Sequence, residues 1–150
     1  MNKTILFLFL LLMTSCSLKK DIVIINHPGL SEPIGPYSHS TSYGNLIFIS
    51  GQIGLDPKTN NPKQGIEEQA IQIFENLKVI LDNNHSDLKH VTKTTIFITD
   101  IKQFETINKI YGEYFKSNFP ARSTIQVASL PKNASIEIEC IAVKRFTKER

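Results

Sequence analysis

Two side chains in this sequence are suited to acting on a small charged molecule. Arg122 follows Phe119-Pro120-Ala121, a run that ends a helical pattern, and it opens a β-forming stretch. A guanidinium is a planar fork that grips a carboxylate through parallel N–H···O bonds, whereas a lysine supplies only a point charge. A solvated arginine at a strand start has the same local sequence, so both readings stay open. Glu137 lies in Ile136-Glu137-Ile138-Glu139-Cys140. A carboxylate partly withdrawn from water is raised in pKa and can exchange a proton with water near neutrality. Glutamates alternating with isoleucines are also what a strand with one wet face produces.

Weaker signals surround this pair. Tyr37 stands in Pro33-Ile34-Gly35-Pro36-Tyr37-Ser38, too rigid for a helix and too proline-rich for a central strand. It covers a ligand or anchors an ordered loop. Ser50, before Gly51-Gln52, bonds a ligand or ends a strand, and Gly51 permits a close approach that a side chain would block. Asn108, between Ile107 and Ile110, is a pocket residue or a solvated one. His27, His39, His85 and His90 lack ligand spacing and are expected at the surface or in loops, so no metal is expected.

The first residues read as an address. Lys3, the apolar run Ile5 to Met13 and Thr14-Ser15-Cys16 have the layout of a secretory signal. The run falls short of the about 20 apolar residues of a membrane span, and Lys19, Lys20 and Asp21 follow it. Leu12-Met13-Thr14-Ser15-Cys16 resembles a bacterial lipobox, whose cysteine becomes the lipid-modified first residue. The expected division is a signal peptide over 1–15, a lipid-anchored Cys16 with a short tether over 16–21, and one domain over 22–150. The expected location is the cell envelope or periplasm, as a membrane-anchored bacterial lipoprotein. The tether reaches roughly 17 Å, which keeps the domain near the membrane. Cys140 is then the remaining thiol, which excludes a disulfide within the chain. Asn133-Ala134-Ser135 matches a glycosylation acceptor that has no consequence in a bacterium.

The elements that must position these residues follow from periodicity. The chain has 150 residues, 41% hydrophobic and 21% charged, with a net charge of +3 that is spread along it. One domain fits, and no basic stripe suggests nucleic acid. Strands are predicted at 22–26, 41–43, 46–50, 91–99, 122–128 and 136–143, with a hairpin at Gly44-Asn45. Apolar positions 66, 70, 73, 74, 77 and 81 predict one helix, and Phe104, Ile107, Tyr111 and Phe115 a second. The order β-β-β-α-β-α-β-β predicts an α+β fold, a single mixed β-sheet with two helices packed on one face. Ile136, Ile138, Cys140 and Ala142 share the helix side, while Ile141 and Val143 turn to the second face, which another subunit is expected to cover.

Pro33-Ile34-Gly35-Pro36-Tyr37, Ile49-Ser50-Gly51-Gln52-Ile53, Phe119-Pro120-Ala121-Arg122-Ser123 and Ile136 to Val143, in this order, resemble the RidA/YjgF family over roughly residues 22 to 145. The resemblance implies a homotrimer of chorismate-mutase-like fold with clefts between subunits. It implies hydrolysis of 2-enamino or 2-imino acids to 2-keto acids and ammonia, without cofactor or metal. By position, Arg122 matches the arginine that binds the substrate carboxylate and Glu137 the acid that places the hydrolytic water. Tyr37, Ser50 and Asn108 match supporting positions, and Thr124 stands where the better-known deaminases carry a cysteine.

If residues 122–128 and 136–143 form a hairpin turning near Pro131 and Lys132, Arg122 faces residue 141, roughly 14 Å along the strands from Glu137. A site holding both is then easier to build from two chains or across a bulge. The competing readings are a non-catalytic binder of small carboxylates in the same cleft and, last, a ribonuclease, which the missing basic stripe opposes.

Overall fold

The structure, a computed structural model, describes residues 21–27 and 29–145. The expected leader, Cys16 and all of the tether but Asp21 lie outside these residues. Six strands form a single sheet: β1 (Ile22–Ile25), β2 (Ser40–Tyr43), β3 (Leu46–Ile53), β4 (Val91–Ile98), β5 (Ala121–Gln126) and β6 (Ile136–Val143). The helices are α1 (Gly65–Asn83) and α2 (Phe104–Tyr114). The sheet order is β1-β2-β3-β6-β4-β5, with β4–β5 parallel and the other pairs antiparallel. This is the expected mixed α+β architecture.

Local chemistry explains the elements. The β2–β3 hairpin sets Tyr43 opposite Leu46, with Gly44 at φ 59, the left-handed value a type II′ turn needs at its first central position. In α1 the buried Ala70, Ile73, Phe74, Leu77, Ile80 and Leu81 form one stripe, and Glu67 and Glu68 complement the positive N-terminal end of the helix dipole. That stripe packs with Ile107, Ile110 and Tyr111 of α2 on Ile47, Ile96, Ile98, Ile136 and Ile138 of the sheet. Along β6, Ile136, Ile138, Cys140 and Ala142 are buried on the helix side, and Glu137, Glu139, Ile141 and Val143 alternate onto the other, as expected.

Three expectations need correction. First, β5 and β6 are not a hairpin. Crossing over through α2 brings β5 back parallel to β4, pairing Arg122 with Thr94, while β4 separates it from β6, pairing Thr94 with Cys140. Pro131–Asn133 form one 3-10 turn with Lys132 and Asn133 at left-handed φ, and the chain from Val127 to Ser135 carries past β4 instead of reversing tightly. Second, β3 runs beyond Ser50 to Ile53. The register with β6 slips between Ile49↔Cys140 and Gln52↔Ile138, so β3 carries one extra residue, a β-bulge. Third, the expected surface or loop placement of the histidines is narrowed: His85 is exposed, and His27 and His39 lie in loops, but buried there at 3% and 4% exposed. Their rings fill the space between β2 and the end of α1 and are held by hydrogen bonds, which offset the cost of burying them.

The face away from the helices carries Ile22, Ile24, Tyr43, Leu46, Phe48 and Ile125, all exposed. Register joins them into a continuous surface, with Ile24, Thr41, Phe48 and Ile141 in one row.

Phe74 is the most heavily packed ring, fully buried, stacked on Tyr114 at 4.2 Å between centroids and edge-on to Tyr111 and Phe115. Phe74→Ala is expected to cost about 3–5 kcal/mol, read from urea denaturation as a lower midpoint at unchanged slope.

Candidate active site

Arg122 lies on edge strand β5, on the helix side, half-buried. Phe104, Asn108 and Tyr111 recur at i, i+4 and i+7, so α2 presents them as one stripe over it. The Arg122 guanidinium donates to Asn108 Oδ1 at 2.6 Å and lies over the rings of Tyr111 and Phe104, 4.7 and 5.6 Å from their centroids. Tyr111 is fixed in turn by a 2.9 Å hydrogen bond between its hydroxyl and that of Thr94. Among the described residues Arg122 makes no salt bridge. A neutral amide leaves the positive charge uncompensated, and the guanidinium opens on a concavity of about 440 Å³ lined by Asn108, Tyr111, Gly112, Phe119 and Pro120. An oriented guanidinium without a carboxylate in a concave site suits a small anion. Thr124, two residues on, is half-buried on the same side of β5.

Glu137 is on the opposite side of the sheet, in the row Ile53–Glu137–Phe97–Ile125. Burial, and then the nearby Glu139 charge, raise its pKa above the ordinary value. The β3 bulge brings Gly51 so close that a Cβ there would collide with the Glu137 carboxylate. A side chain at position 51 would displace the Glu137 carboxylate from this place, the close approach anticipated for this glycine. Tyr37, 44% exposed, shares with Glu137 a concavity of about 310 Å³ that Ile34, Gly51, Ile53 and Pro131 complete. Ser50 lies just behind it, donating its hydroxyl to Ser38 O at 2.7 Å and its amide to His39 O at 3.0 Å. Both bonds fasten the Tyr37 loop to β3.

The sequence-predicted residues therefore form two clusters, Arg122, Asn108 and Thr124 on one side of the sheet and Glu137, Tyr37 and Ser50 on the other. Within one copy the sheet separates the arginine from the glutamate. The expected offset along the strands is present, with Arg122 in the row of Thr94 and Cys140 and Glu137 in the row of Phe97 and Ile125. However, β4 lies between β5 and β6, and the opposite sheet faces separate the two residues further. Sequence reasoning missed Phe104 and Tyr111 as the walls around Arg122, because their helical spacing marks core positions equally well; Asn108 inside that stripe was the available signal. Among the described residues no cluster of His, Cys, Asp or Glu could hold a metal ion. Cys140 is buried, and that burial pushes its thiol pKa up to about 12.

Comparison with known proteins adds independent findings. The family model described as Endoribonuclease L-PSP matches residues 29–144. The chain is 47% identical over 122 residues to a RutC family protein of Aquifex aeolicus, covering 80% of this chain and 98% of that one. It is 47% identical over 112 residues to the human 2-iminobutanoate/2-iminopropanoate deaminase, covering 74% of this chain and 82% of the relative. The crystal structure of the YjgF gene product from E. coli superposes with a TM-score of 0.77 at 39% identity, over 82% of this chain and 99% of that one.

The raised pKa of Glu137 gives a signed expectation. The folded chain binds this proton more readily than the unfolded chain, so the contribution to stability is present below the ordinary value of 4.5 and is lost as pH rises through the folded value. Glu137→Gln is therefore expected to unfold at higher denaturant than wild type at pH 7, with the gap closing in acid. A carboxyl carbon NMR titration of Glu137 with its midpoint at or below 4.5 would contradict the assignment.

Proposed function

Starting from a chain that belongs to the Endoribonuclease L-PSP (RidA/YjgF) family, we propose that it hydrolyses reactive 2-imino and 2-enamino acids to 2-keto acids and ammonia. The observation that carries this is Arg122, a half-buried guanidinium without a carboxylate among the described residues, opening on a concavity. Relatives named as deaminases of 2-iminobutanoate and 2-iminopropanoate, small acids of this class, support it.

In this reading Arg122 holds the substrate carboxylate and Asn108 sets the fork. Water attacks the imine carbon while Glu137 takes one of its protons. That proton passes to nitrogen as the C=N bond becomes single, leaving a hydroxyl and an amino group on one carbon. The hydroxyl proton then passes through Glu137 to the same nitrogen, the C–N bond breaks, ammonia leaves, and the oxygen stays as the ketone. Raising the pKa of Glu137 by burial and the Glu139 charge makes it a better acceptor of that proton than an exposed glutamate. Tyr37 covers the substrate, with Ser50 holding its loop, and Thr124 shapes the floor beside Arg122. No step calls for a cofactor.

One copy keeps Arg122 and Glu137 on opposite faces, so the proposed site joins the arginine cleft of one copy to the glutamate cleft of its neighbour. The uncovered apolar face supports such an assembly, a homotrimer in this proposal. A carboxylate binder without turnover would need the arginine cleft alone and gives Glu137 no task.

Purified protein is expected to speed ammonia release from a freshly generated 2-imino acid, and Arg122→Ala to lower kcat/KM at least ~30-fold, the loss typical of removing one partner of a charge-assisted pair. Co-expressing Arg122→Ala with Glu137→Gln should restore about a quarter of wild-type activity, because mixed cyclic trimers regain some intact sites. Binding of keto acids without turnover would favour the binder, and failure of the mixed protein to recover would remove the shared site.

The proposal includes the exported, lipid-anchored location read from the leader. Cys16→Ser is expected to abolish fatty-acid labelling of the protein and move it out of the detergent phase on Triton X-114 partition; an unlabelled wild type would refute the anchor.

A further inference from the structure

A buried polar cluster lies behind the Tyr37 loop, made of residues the proposed chemistry does not use. His39 Nδ1 is 3.1 Å from the backbone amide of His27, and His39 Nε2 is 2.9 Å from Ser31 O. An amide N–H can only donate and a carbonyl can only accept, so Nδ1 is bare and Nε2 carries the hydrogen. The ring is neutral by geometry. It closes the segment from His27 to His39 into a loop, pinned at its end by Asn26 Oδ1 accepting from the His39 amide at 3.4 Å and by Ser50 on β3.

His39 also lines a cavity of about 40 Å³ with Glu32, Ile34, Tyr37 and Gly51, and Ile34, Tyr37 and Gly51 continue into the Glu137 concavity. The clip and the pocket share a wall.

We propose that His39 is a positioning residue: its ring fastens the Tyr37 loop over the Glu137 pocket, and protonation of His27 beside it releases the loop and opens the pocket. A proton on His27 Nε2 would point at the Asn84 Nδ2 N–H that this nitrogen accepts from, displacing His27 and with it the backbone amide that His39 Nδ1 holds. His27, with its ring 5.9 Å from that of His39, is held by Ser40 Oγ at 3.0 Å and by Asn84 Nδ2 at 3.4 Å. Its Nδ1 and Asn84 Oδ1 have no hydrogen-bond partner.

The groups facing the two rings from other elements are neutral: Ser40 on β2, Ser50 and Gln52 on β3, Asn76 and Asn84 from α1. Glu32, on the loop itself, is the carboxylate sharing the small cavity, and among the described residues no carboxylate is hydrogen-bonded to either ring. Burial, then His39, lowers the pKa of His27 from 6.5. The stability linked to it is therefore complete above 6.5 and lost as pH falls through the lowered value.

The role rests on the proposed function for its meaning but not for its test. Amide hydrogen exchange of residues 29–38, corrected for intrinsic rates, is measured on the full chain at pH 7.5 and 5.5. Protection should fall severalfold, up to roughly tenfold, at the lower pH, the limit between these two values for one linked proton of ordinary pKa 6.5. His39→Ala should lose protection at both values. His39→Asn, which keeps an acceptor for the His27 amide, should retain much of it. In wild type KM should rise with the loop's opening, with less change in kcat. Unchanged wild-type protection between the two pH values, or full protection in His39→Ala, overturns the clip. A pH-dependent loop without deaminase activity at any pH leaves the clip standing and removes the function instead.

Discussion

A positive charge held half out of water, with an amide oxygen for company, is what the rest of this molecule is arranged to support. Withdrawing a guanidinium from water without a counter-charge is unfavourable. The fold meets that by setting two aromatic ring faces and Asn108 around Arg122 and leaving one direction open. Each part traces to a simple rule. Helical spacing lines up Phe104, Asn108 and Tyr111, the crossover through α2 sets β5 at the sheet edge beneath them, and Thr94 fixes the Tyr111 hydroxyl. Aromatic faces stabilise the cation without neutralising it, so the attraction for an anion survives.

Glu137 is arranged by the opposite logic. Its carboxylate is raised in pKa by burial and by a like charge, and the β3 bulge brings a glycine against it where any side chain would intrude. The bulge does two things at once: it turns Gln52 into the core and sets Gly51 beside the glutamate. The sheet acts as a partition between the Arg122 cluster and the Glu137 cluster, and the face that carries Glu137 is the apolar exposed one.

Much of this was legible in the residues. The two helices and the alternation of β6 followed from strong periodicity, and Gly44-Asn45 marked its hairpin. The position of β5 was not legible, since Leu130 to Asn133 looks like a hairpin turn; only the crossover through α2 reveals that β5 pairs with β4. The bulge depends on a register slip that no single residue announces. His27 and His39 were placed at the surface or in loops, and their burial within loops follows from partners that no local pattern announces, among them Ser40 and Asn84. The candidate residues were recognised singly, but their division between two faces needed the sheet order.

Thr124 has a consequence for durability. It sets a hydroxyl residue on the Arg122 side of β5 where the resembled deaminases carry a thiol, while Cys140, the cysteine among the described residues, is shut under the helices with its pKa pushed up to about 12. Electrophiles and peroxides attack thiolates, and a buried thiol of that pKa supplies almost none. Among the described residues the arginine cleft thus offers an electrophile no sulfur to alkylate and a peroxide none to convert to sulfenic acid.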